Sequence, residues 1–575
     1  MLISDKYGVQ QLLEKCAEFG LKEIVISPGS RNAPLTISFS QSSFFQTHLI
    51  TDERSAGFYA LGMSEQLNEP VALVCTSGSA ILNYAPAVAE AFYRCIPLIV
   101  ISADRPAEWV DQGDGQTIRQ VGSLSNHILH ETSILEHPNS EKEKEINRIN
   151  LEKVLSSAVS GQKGPVHINF PFSEPLYNTN EIAFPKITTV NSNQTKKDIS
   201  DKVLIDLLEK WNTKTRRMIL CGQHIKNPLL LNLLNELSND RSTVILVENT
   251  SNLSNFNFVN CIDRTLNSIT AHQLEESFQP DILITIGGAV ISKRVKSFLR
   301  DIKDLEHWKI GAEFPEMNTY GHLKKSIEID PASFFKIFLQ SKPLMNLSRY
   351  GEQWKQLNFQ IQLAIESFFN KAPWSDLKVF KSIFETIPEN VNLHMSNSSV
   401  VRYCQLFEPV FSLKYFCNRG TSGIDGSTST AVGAAIANSK ELHYLISGDL
   451  SFLYDSNALW NINFPPNLRI VVINNGGGGI FKIIPGPSQT DDLENYFVAK
   501  HDFSIEYLCK TFRIEYRTAR EEDELNSELE TFMNPTAYSK AVILEVFTPG
   551  DSNHLVLNQY FEQIRIPKKS VKIFN

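Results

Sequence analysis

The amino-acid sequence predicts an α/β protein made of three consecutive parallel-sheet domains. Short apolar, β-rich runs alternate with stretches of helical periodicity along the chain, the pattern of strands joined by crossover helices. A polar run at 191–201 interrupts this pattern, and it resets near 371–374. A chain of 575 residues also exceeds what one hydrophobic core can organise, and implies roughly three or four domains. Boundaries at 1–185, 198–345 and 372–575 follow.

In the first block, strands are expected at 23–27, 71–75, 98–102 and 166–170. Between the first two, Ala56, Tyr59, Ala60, Met63 and Leu67 recur at helical spacing directly after Asp52-Glu53-Arg54, so Glu53 sits at a helix start. The charged run 141–148 reads as the solvated face of a helix. The run 191–201 has too few apolar residues to join a core and is a candidate linker. Strands are expected next at 218–221, 244–247 and 282–286, then at 445–447, 468–473 and 541–546, with a helix-like stretch at 455–462. The first and third blocks have the look of an ancient duplication, without a repeat at the level of sequence identity.

Composition narrows the function classes. Hydrophobic residues make up 42% and charged residues 21%, which excludes disordered and fibrous chains, and no apolar stretch is long enough for a bilayer. The N-terminal twenty residues mix charges among apolar positions, unlike a signal peptide; a soluble cytoplasmic protein without membrane insertion is expected. Eight scattered cysteines with no CxxC spacing read as buried reduced thiols rather than zinc ligands or disulfides. A net charge of −9 argues against nucleic acid as a partner, while leaving room for a local basic pocket.

The third block holds the first chemical motif. One strand runs into Gly448-Asp449-Leu450-Ser451, and a second ends in Asn474-Asn475-Gly476-Gly477. Parallel sheets bind ligands beyond the carboxyl ends of their strands, and two adjacent strand ends can face one site. Asp449 and Asn475 offer hard oxygen ligands, and the following glycines let a carbonyl approach a cation. Mg2+ fits best, with its remaining positions filled by diphosphate and water oxygens. Either piece alone would be an ordinary turn or a flexible loop; an interval of 26 residues from Asp449 to Asn475 joins them into a resemblance to the thiamine-diphosphate motif, although Leu450 stands where the general motif has a third glycine.

Further strings follow in order: SPGSRNAPL (27–35), TDERSAGFYALGMS (51–64), TSGSA (76–80), SADRP (102–106), GPVHINFPFSEPLY (164–177), ISKR (291–294), NRGTSGIDG (418–426) and GDLSFLYD (448–455). Together they resemble the 2-succinyl-5-enolpyruvyl-6-hydroxy-3-cyclohexene-1-carboxylate synthase family of thiamine-diphosphate enzymes. The resemblance implies doubly wound parallel-sheet domains of the thiamine-diphosphate enzyme type: a pyrimidine-binding domain, a central domain and a diphosphate-binding domain. It implies a transferase of the menaquinone pathway that decarboxylates 2-oxoglutarate and adds the succinyl carbanion equivalent to isochorismate. It further implies a homodimer as the minimal active unit, with a homotetramer open.

By the same resemblance, Glu53 is the catalytic carboxylate beside the cofactor's aminopyrimidine; alone, it would read as a capping or surface-paired glutamate. Asp449, the Asn475 side chain and the Gly477 carbonyl would hold Mg2+ or Mn2+. Ser422, Gly423, Gly448, Leu450, Ser451 and Ile480 would join them around thiamine diphosphate, and Ile424 would prop the cofactor in its bent form, core packing being the alternative. The helix expected at 427–438 would turn its N-terminus to the diphosphate.

Both implied substrates carry two carboxylates, which Arg binds in bidentate fashion. Arg31, Arg105, Lys293, Arg294, Arg402 and Arg419 are the candidates by family position. Ser30, Gln116 and Ser398 would add neutral hydrogen bonds, and Ile480, Phe481 and Ile484 an apolar wall; Ser396 stands where glycine is expected before Asn397. His127, His130 and His224 lie in no motif and read as packing or surface histidines. The rival readings are another 2-oxoacid decarboxylase or carboligase, such as acetohydroxyacid synthase, and a non-catalytic thiamine-diphosphate-binding regulator. A nicotinamide enzyme is excluded because no GxGxxG follows the strand at 282–286.

Overall fold

The computed structural model describes residues 1–182, 199–461, 463–484 and 486–565. Most of the linker expected at 191–201 lies outside the described residues; at its end, a helix begins at Asp201.

The described residues form three parallel sheets and a two-stranded antiparallel one, Leu2–Ser4 with Thr179–Glu181. In the N-terminal parallel sheet the strand order is Gln46–Leu49, Glu23–Ile26, Val71–Cys75, Leu98–Asp104, Val166–Pro171 and Glu131–Ser133, all parallel. Numbered by chain position, that is 2-1-3-4-6-5. The middle sheet runs Thr243–Val247, Arg217–Cys221, Ile282–Ile286, Glu306–Ile310 and Leu323–Ile327, again all parallel. The C-terminal sheet, with strands Lys414–Phe416, Asn392–Met395, His443–Gly448, Leu468–Asn474, Val542–Phe547 and Glu515–Ala519, repeats the order 2-1-3-4-6-5 of the first.

The central strands form because they are nearly continuous apolar runs buried on both faces. Strands that the sequence did not announce have polar compositions. Gln46–Leu49, Glu131–Ser133 and Glu515–Ala519 are edge or near-edge strands with exposed positions. Asn392–Met395 is central, but its apolar run is broken by buried Asn392 and His394.

The expected helix-like stretch at 455–462 is corrected: among its described residues only the 3-10 turn Ser456–Leu459 is helical. The α-helix starts earlier, at Asp449–Tyr454, directly off the strand. Downstream, Pro465 and Pro466 bar a longer helix. The charged run begins the helix Glu141–Val159, with Glu141, Lys142, Glu145 and Arg148 exposed. All eight cysteines are free thiols, and all except Cys95 are buried.

By packing, the described chain falls into two compact units. One holds the N-terminal sheet together with Asn418–Glu441 and Ser451–Leu468; the other holds the middle and C-terminal sheets. Within the first, helix Glu53–Leu67 packs on helix Ser427–Ala437 almost backbone to backbone. A Cβ on Gly62 would lie 1.9 Å from the Thr430 carbonyl oxygen, and one on Gly433 would lie 2.0 Å from that of Tyr59. Only glycine permits such an approach. Among the described residues, no helix is long and apolar enough to cross a membrane.

Candidate active site

At the carboxyl edge of the N-terminal sheet, SPGSR follows strand Glu23–Ile26 and TSGSA follows its neighbour Val71–Cys75, on either side of the point where the strand order reverses. A Cβ on Gly29 would stand 2.3 Å from Thr76 Cβ, so the two loops touch. Arg31 is buried; its Nη1 donates to the Phe172 carbonyl at 2.9 Å, and its Nη2 lies 3.2 Å from Glu174 Oε1. Its Nε and the hydroxyls of Thr76 and Ser77 are buried with no hydrogen-bond partner among the described residues. Arg105 follows strand Leu98–Asp104; its Nη2 donates to the Gly115 carbonyl at 3.2 Å, and its Nε stands 3.5 Å from Asp114. Gln116 lies against Gly78 in the TSGSA loop, and Ser30 is exposed on the SPGSR loop.

Glu53 opens the helix Glu53–Leu67, but the N-cap is Asp52, whose side chain accepts the backbone N–H groups of Arg54 and Ser55. Burial raises the Glu53 pKa, with the negative charge of Asp52 adding to the effect. A half-buried carboxyl that binds its proton more tightly than a free glutamate is suited to exchanging one with a partner base.

In the C-terminal sheet, strands His443–Gly448 and Leu468–Asn474 are neighbours, and their ends meet. The backbone N–H groups of Gly476 and Gly477 each donate to Asp449 Oδ2 at 2.9 Å, and Leu450 N–H donates to Oδ1 at 2.6 Å. His501 Nε2 lies 3.3 Å from Asp449 Oδ2. Gly477 has φ +145°, and a Cβ there would sit 2.6 Å from the Val498 carbonyl oxygen. The residues present would fit a divalent cation of the Mg2+ type: Asp449 offers a carboxylate, Asn475 an amide oxygen and Gly477 a backbone carbonyl, hard oxygen donors that suit Mg2+ and also Mn2+. Among the described residues, no group of three or more His, Cys, Asp or Glu is arranged to hold a metal.

The other expected residues are placed as follows. Ile480 is buried, while Phe481 and Ile484 are half-buried, with the Phe481 ring 5.7 Å from that of Phe497. Lys293 and Arg294 begin helix Lys293–Arg300 and are exposed; Arg294 stacks on Phe561. Arg294 and Arg402 both act electrostatically on half-buried Asp263. Ser398 follows strand Asn392–Met395 in the left-handed region, at φ 70°, and Ser396 Oγ accepts the Gly448 N–H. Within the other unit, Arg419 is buried, Ser422 exposed and Gly423 half-buried. Ile424 is 37% exposed, against core packing, and its carbonyl accepts from Ser451 Oγ at 2.7 Å. The expectation for the N-terminus of helix Ser427–Ala437 needs a correction: the Ser429 N–H is taken by Asp455 Oδ2 at 2.6 Å, a buried carboxylate that leaves one amide fewer for an anion.

Several supporting side chains escaped the sequence reading. Glu131, His167, Ser102 and Gln120 form a hydrogen-bonded chain that ends on the Gly78 N–H, beneath the TSGSA loop. Glu90 accepts from the N–H groups of Gly420 and Thr421, fixing the loop that carries Arg419. Asp376 holds Asn475. Each acts through a partner distant in sequence and belongs to no local motif.

Models of thiamine pyrophosphate enzymes match three stretches: the N-terminal TPP binding domain at 6–123, the middle domain at 193–395 and the C-terminal TPP binding domain at 398–546. Fold and matches together define a thiamine-diphosphate-dependent enzyme. Proteins named 2-succinyl-5-enolpyruvyl-6-hydroxy-3-cyclohexene-1-carboxylate synthase are similar over nearly the whole chain. The one from Flavobacterium psychrophilum is 45% identical over 560 residues, covering 96% of this chain and 98% of its own. Those from Flavobacterium johnsoniae and Porphyromonas gingivalis are 44% and 40% identical, covering 96% and 98% of this chain and 98% of each relative. The chain belongs to that synthase family, a transferase family of menaquinone biosynthesis.

Proposed function

We propose that this enzyme decarboxylates 2-oxoglutarate and transfers the resulting succinyl unit to isochorismate, using thiamine diphosphate and Mg2+ or Mn2+. The observation that carries the substrate class is the buried Arg31, whose Nε–H is unpartnered on a loop that touches the one carrying the unpartnered hydroxyls of Thr76 and Ser77: buried donors left open in this way call for an anionic ligand. Bound thiamine diphosphate supplies a nucleophilic carbon and an electron sink for loss of CO2. Glu53 holds the proton exchanged with the aminopyrimidine. Asp449, Asn475 and the Gly477 carbonyl hold the metal, with Gly448, Leu450, Ser451, Ser422, Gly423 and Ile424 around the cofactor. Arg31, Arg105, Lys293, Arg294, Arg402 and Arg419 orient substrate carboxylates, helped by Ser30, Gln116 and Ser398, while Ile480, Phe481 and Ile484 wall the pocket.

The reading includes domains at 1–185, 198–345 and 372–575, a cytoplasmic location, and a homodimer in which carboxylate and metal come from different chains, with a tetramer as the further state. The deciding assay supplies 2-oxoglutarate with isochorismate, thiamine diphosphate and Mg2+, with pyruvate as the control donor. Adduct and CO2 from 2-oxoglutarate are expected; preference for pyruvate would overturn the assignment in favour of an acetohydroxyacid synthase type.

A further inference from the structure

A primary amide has two faces of opposite character, an oxygen that accepts and an NH2 that donates. Only the oxygen can bind a cation, so an asparagine ligand works only if its orientation is fixed. Asn475 has such a fixture. Its Nδ2 donates to Asp376 Oδ2 at 2.9 Å. Asp376 is buried and opens helix Asp376–Thr386, far from Asn475 in sequence. Its other oxygen, Oδ1, accepts from Thr548 Oγ1 at 2.5 Å, and its backbone N–H donates to Asn553 Oδ1 at 2.9 Å. Asn553 Nδ2 in turn donates to Thr548 Oγ1 at 3.3 Å, and Thr548 N–H donates to the Asn474 carbonyl at 3.1 Å. The carboxylate is thus held from two sides and tied to the strand that delivers Asn475.

We propose that Asp376 is the positioning residue that sets the polarity of the Asn475 amide, so that Asn475 presents its oxygen, and never its NH2, to the divalent cation. A carboxylate has no proton to offer and accepts only. A flipped Asn475 would set Oδ1 lone pairs against a buried anion and turn two N–H groups toward the metal. Partners of this kind behind metal ligands influence affinity by about 10–100-fold. This inference rests on Asn475 being a metal ligand, and the experiment separates the two ideas.

The full-length protein is titrated with Mn2+ in the presence of thiamine diphosphate, free Mn2+ being read by electron paramagnetic resonance, and the melting temperature of the metal-free, cofactor-free protein serves as the fold control. Asp376→Ala is expected to weaken Mn2+ binding about 10–100-fold. Asn475→Asp alone places two carboxylates face to face and binds worse than wild type. The reciprocal exchange, Asp376→Asn combined with Asn475→Asp, keeps the same atoms and reverses the bond: the amide at 376 donates, and a carboxylate oxygen faces the metal. It is expected to recover most of the affinity that either single exchange loses, a coupling that a merely structural aspartate would not show. Wild-type Mn2+ affinity in folded Asp376→Ala overturns the proposal, as does a reciprocal exchange no better than its singles, which decides the matter if Asp376→Ala fails to fold. Asn475→Ala is the reference: unchanged affinity there removes Asn475 as a ligand, whereas loss there with none in Asp376→Ala removes only the role of Asp376.

Discussion

Asp52 caps the helix that Glu53 begins: Asp52 Oδ1 accepts the Arg54 N–H at 2.9 Å, and Oδ2 accepts from Asn457 Nδ2 at 2.7 Å. Capping and chemistry therefore fall to different, adjacent carboxylates. Glu53→Gln should fold and bind thiamine diphosphate like wild type, yet lose roughly 10²- to 10⁴-fold in kcat, the range of a positioned acid or base. Exchange of the C2 proton of bound thiamine diphosphate into heavy water isolates the step; a wild-type exchange rate would refute the role.

Asp52→Ala should show the opposite profile. Loss of an N-cap costs about 1 kcal/mol, seen as a lower denaturation midpoint, with C2 proton exchange close to wild type. Asp52→Asn, which can still cap, should recover most of the stability. A catalytic defect as large as that of Glu53→Gln would merge the two roles that the geometry separates.

Asp449→Ala removes the one carboxylate of the proposed metal set and the acceptor that gathers Gly476 N–H and Gly477 N–H. Mg2+ and thiamine diphosphate should weaken together, because a cation held at Asp449 would supply the positive charge that favours a diphosphate there. Calorimetric titration of cofactor at limiting Mg2+ checks this, and unchanged affinity would exclude Asp449 as a ligand.

The middle sheet carries a pH dependence of its own. Burial, reinforced by His322 and Lys309, pushes the His307 pKa down to about 4, against about 6.5 in an unfolded chain. Between those values the unfolded chain binds more protons than the folded one, so stability rises with pH across this window. Acidification from pH 7 to pH 5 should remove about 2 kcal/mol through this group. In His307→Gln, where the amide can still reach Thr285 Oγ1, bonded to His307 Nε2 at 2.9 Å, denaturant unfolding at the two pH values should show a smaller difference. Equal differences in both proteins would count against it.

Gly62→Ala tests the close helix contact. Its methyl would fall 1.9 Å from the Thr430 carbonyl oxygen, and backbone cannot rotate aside as a side chain can, so a loss of about 1–3 kcal/mol is expected. Gly20→Ala is a poor control because of its positive φ; Gly115, with nothing within 4 Å of its Cβ position, is the better one, and its alanine variant should melt like wild type.

What the sequence disclosed follows a physical division. Val71–Cys75 and Ile282–Ile286 are uninterrupted apolar runs, and their bounds could be read directly. Glu131–Ser133 could not, because a short polar edge strand depends on the neighbour it pairs with rather than on its own composition. In the site, Asp449 and Asn475 were visible because backbone requirements cluster glycines around them. Asp376 was not: its contact with Asn475 spans 99 residues, and an aspartate at a helix start has an ordinary explanation. Glu90 and the chain from Glu131 to Gln120 were hidden for the same reason.

The shared 2-1-3-4-6-5 order of the outer sheets bears on how such an enzyme can change. In the N-terminal sheet, Arg31, Glu53, Gly78 and Arg105 follow strands one to four in turn; in the C-terminal sheet, Ser398, Arg419, Asp449 and Asn475 do the same. Strands five and six of neither sheet contribute a proposed site residue. The path of the chain therefore supplies a fixed set of four addresses twice over, while the tenant at each address is a matter of a few loop residues. New substrate preference can arise by rewriting one loop without moving a strand, while the last two strands of each sheet act from behind: Glu131 and His167 brace the TSGSA loop, and Thr548, directly after Val542–Phe547, holds Asp376.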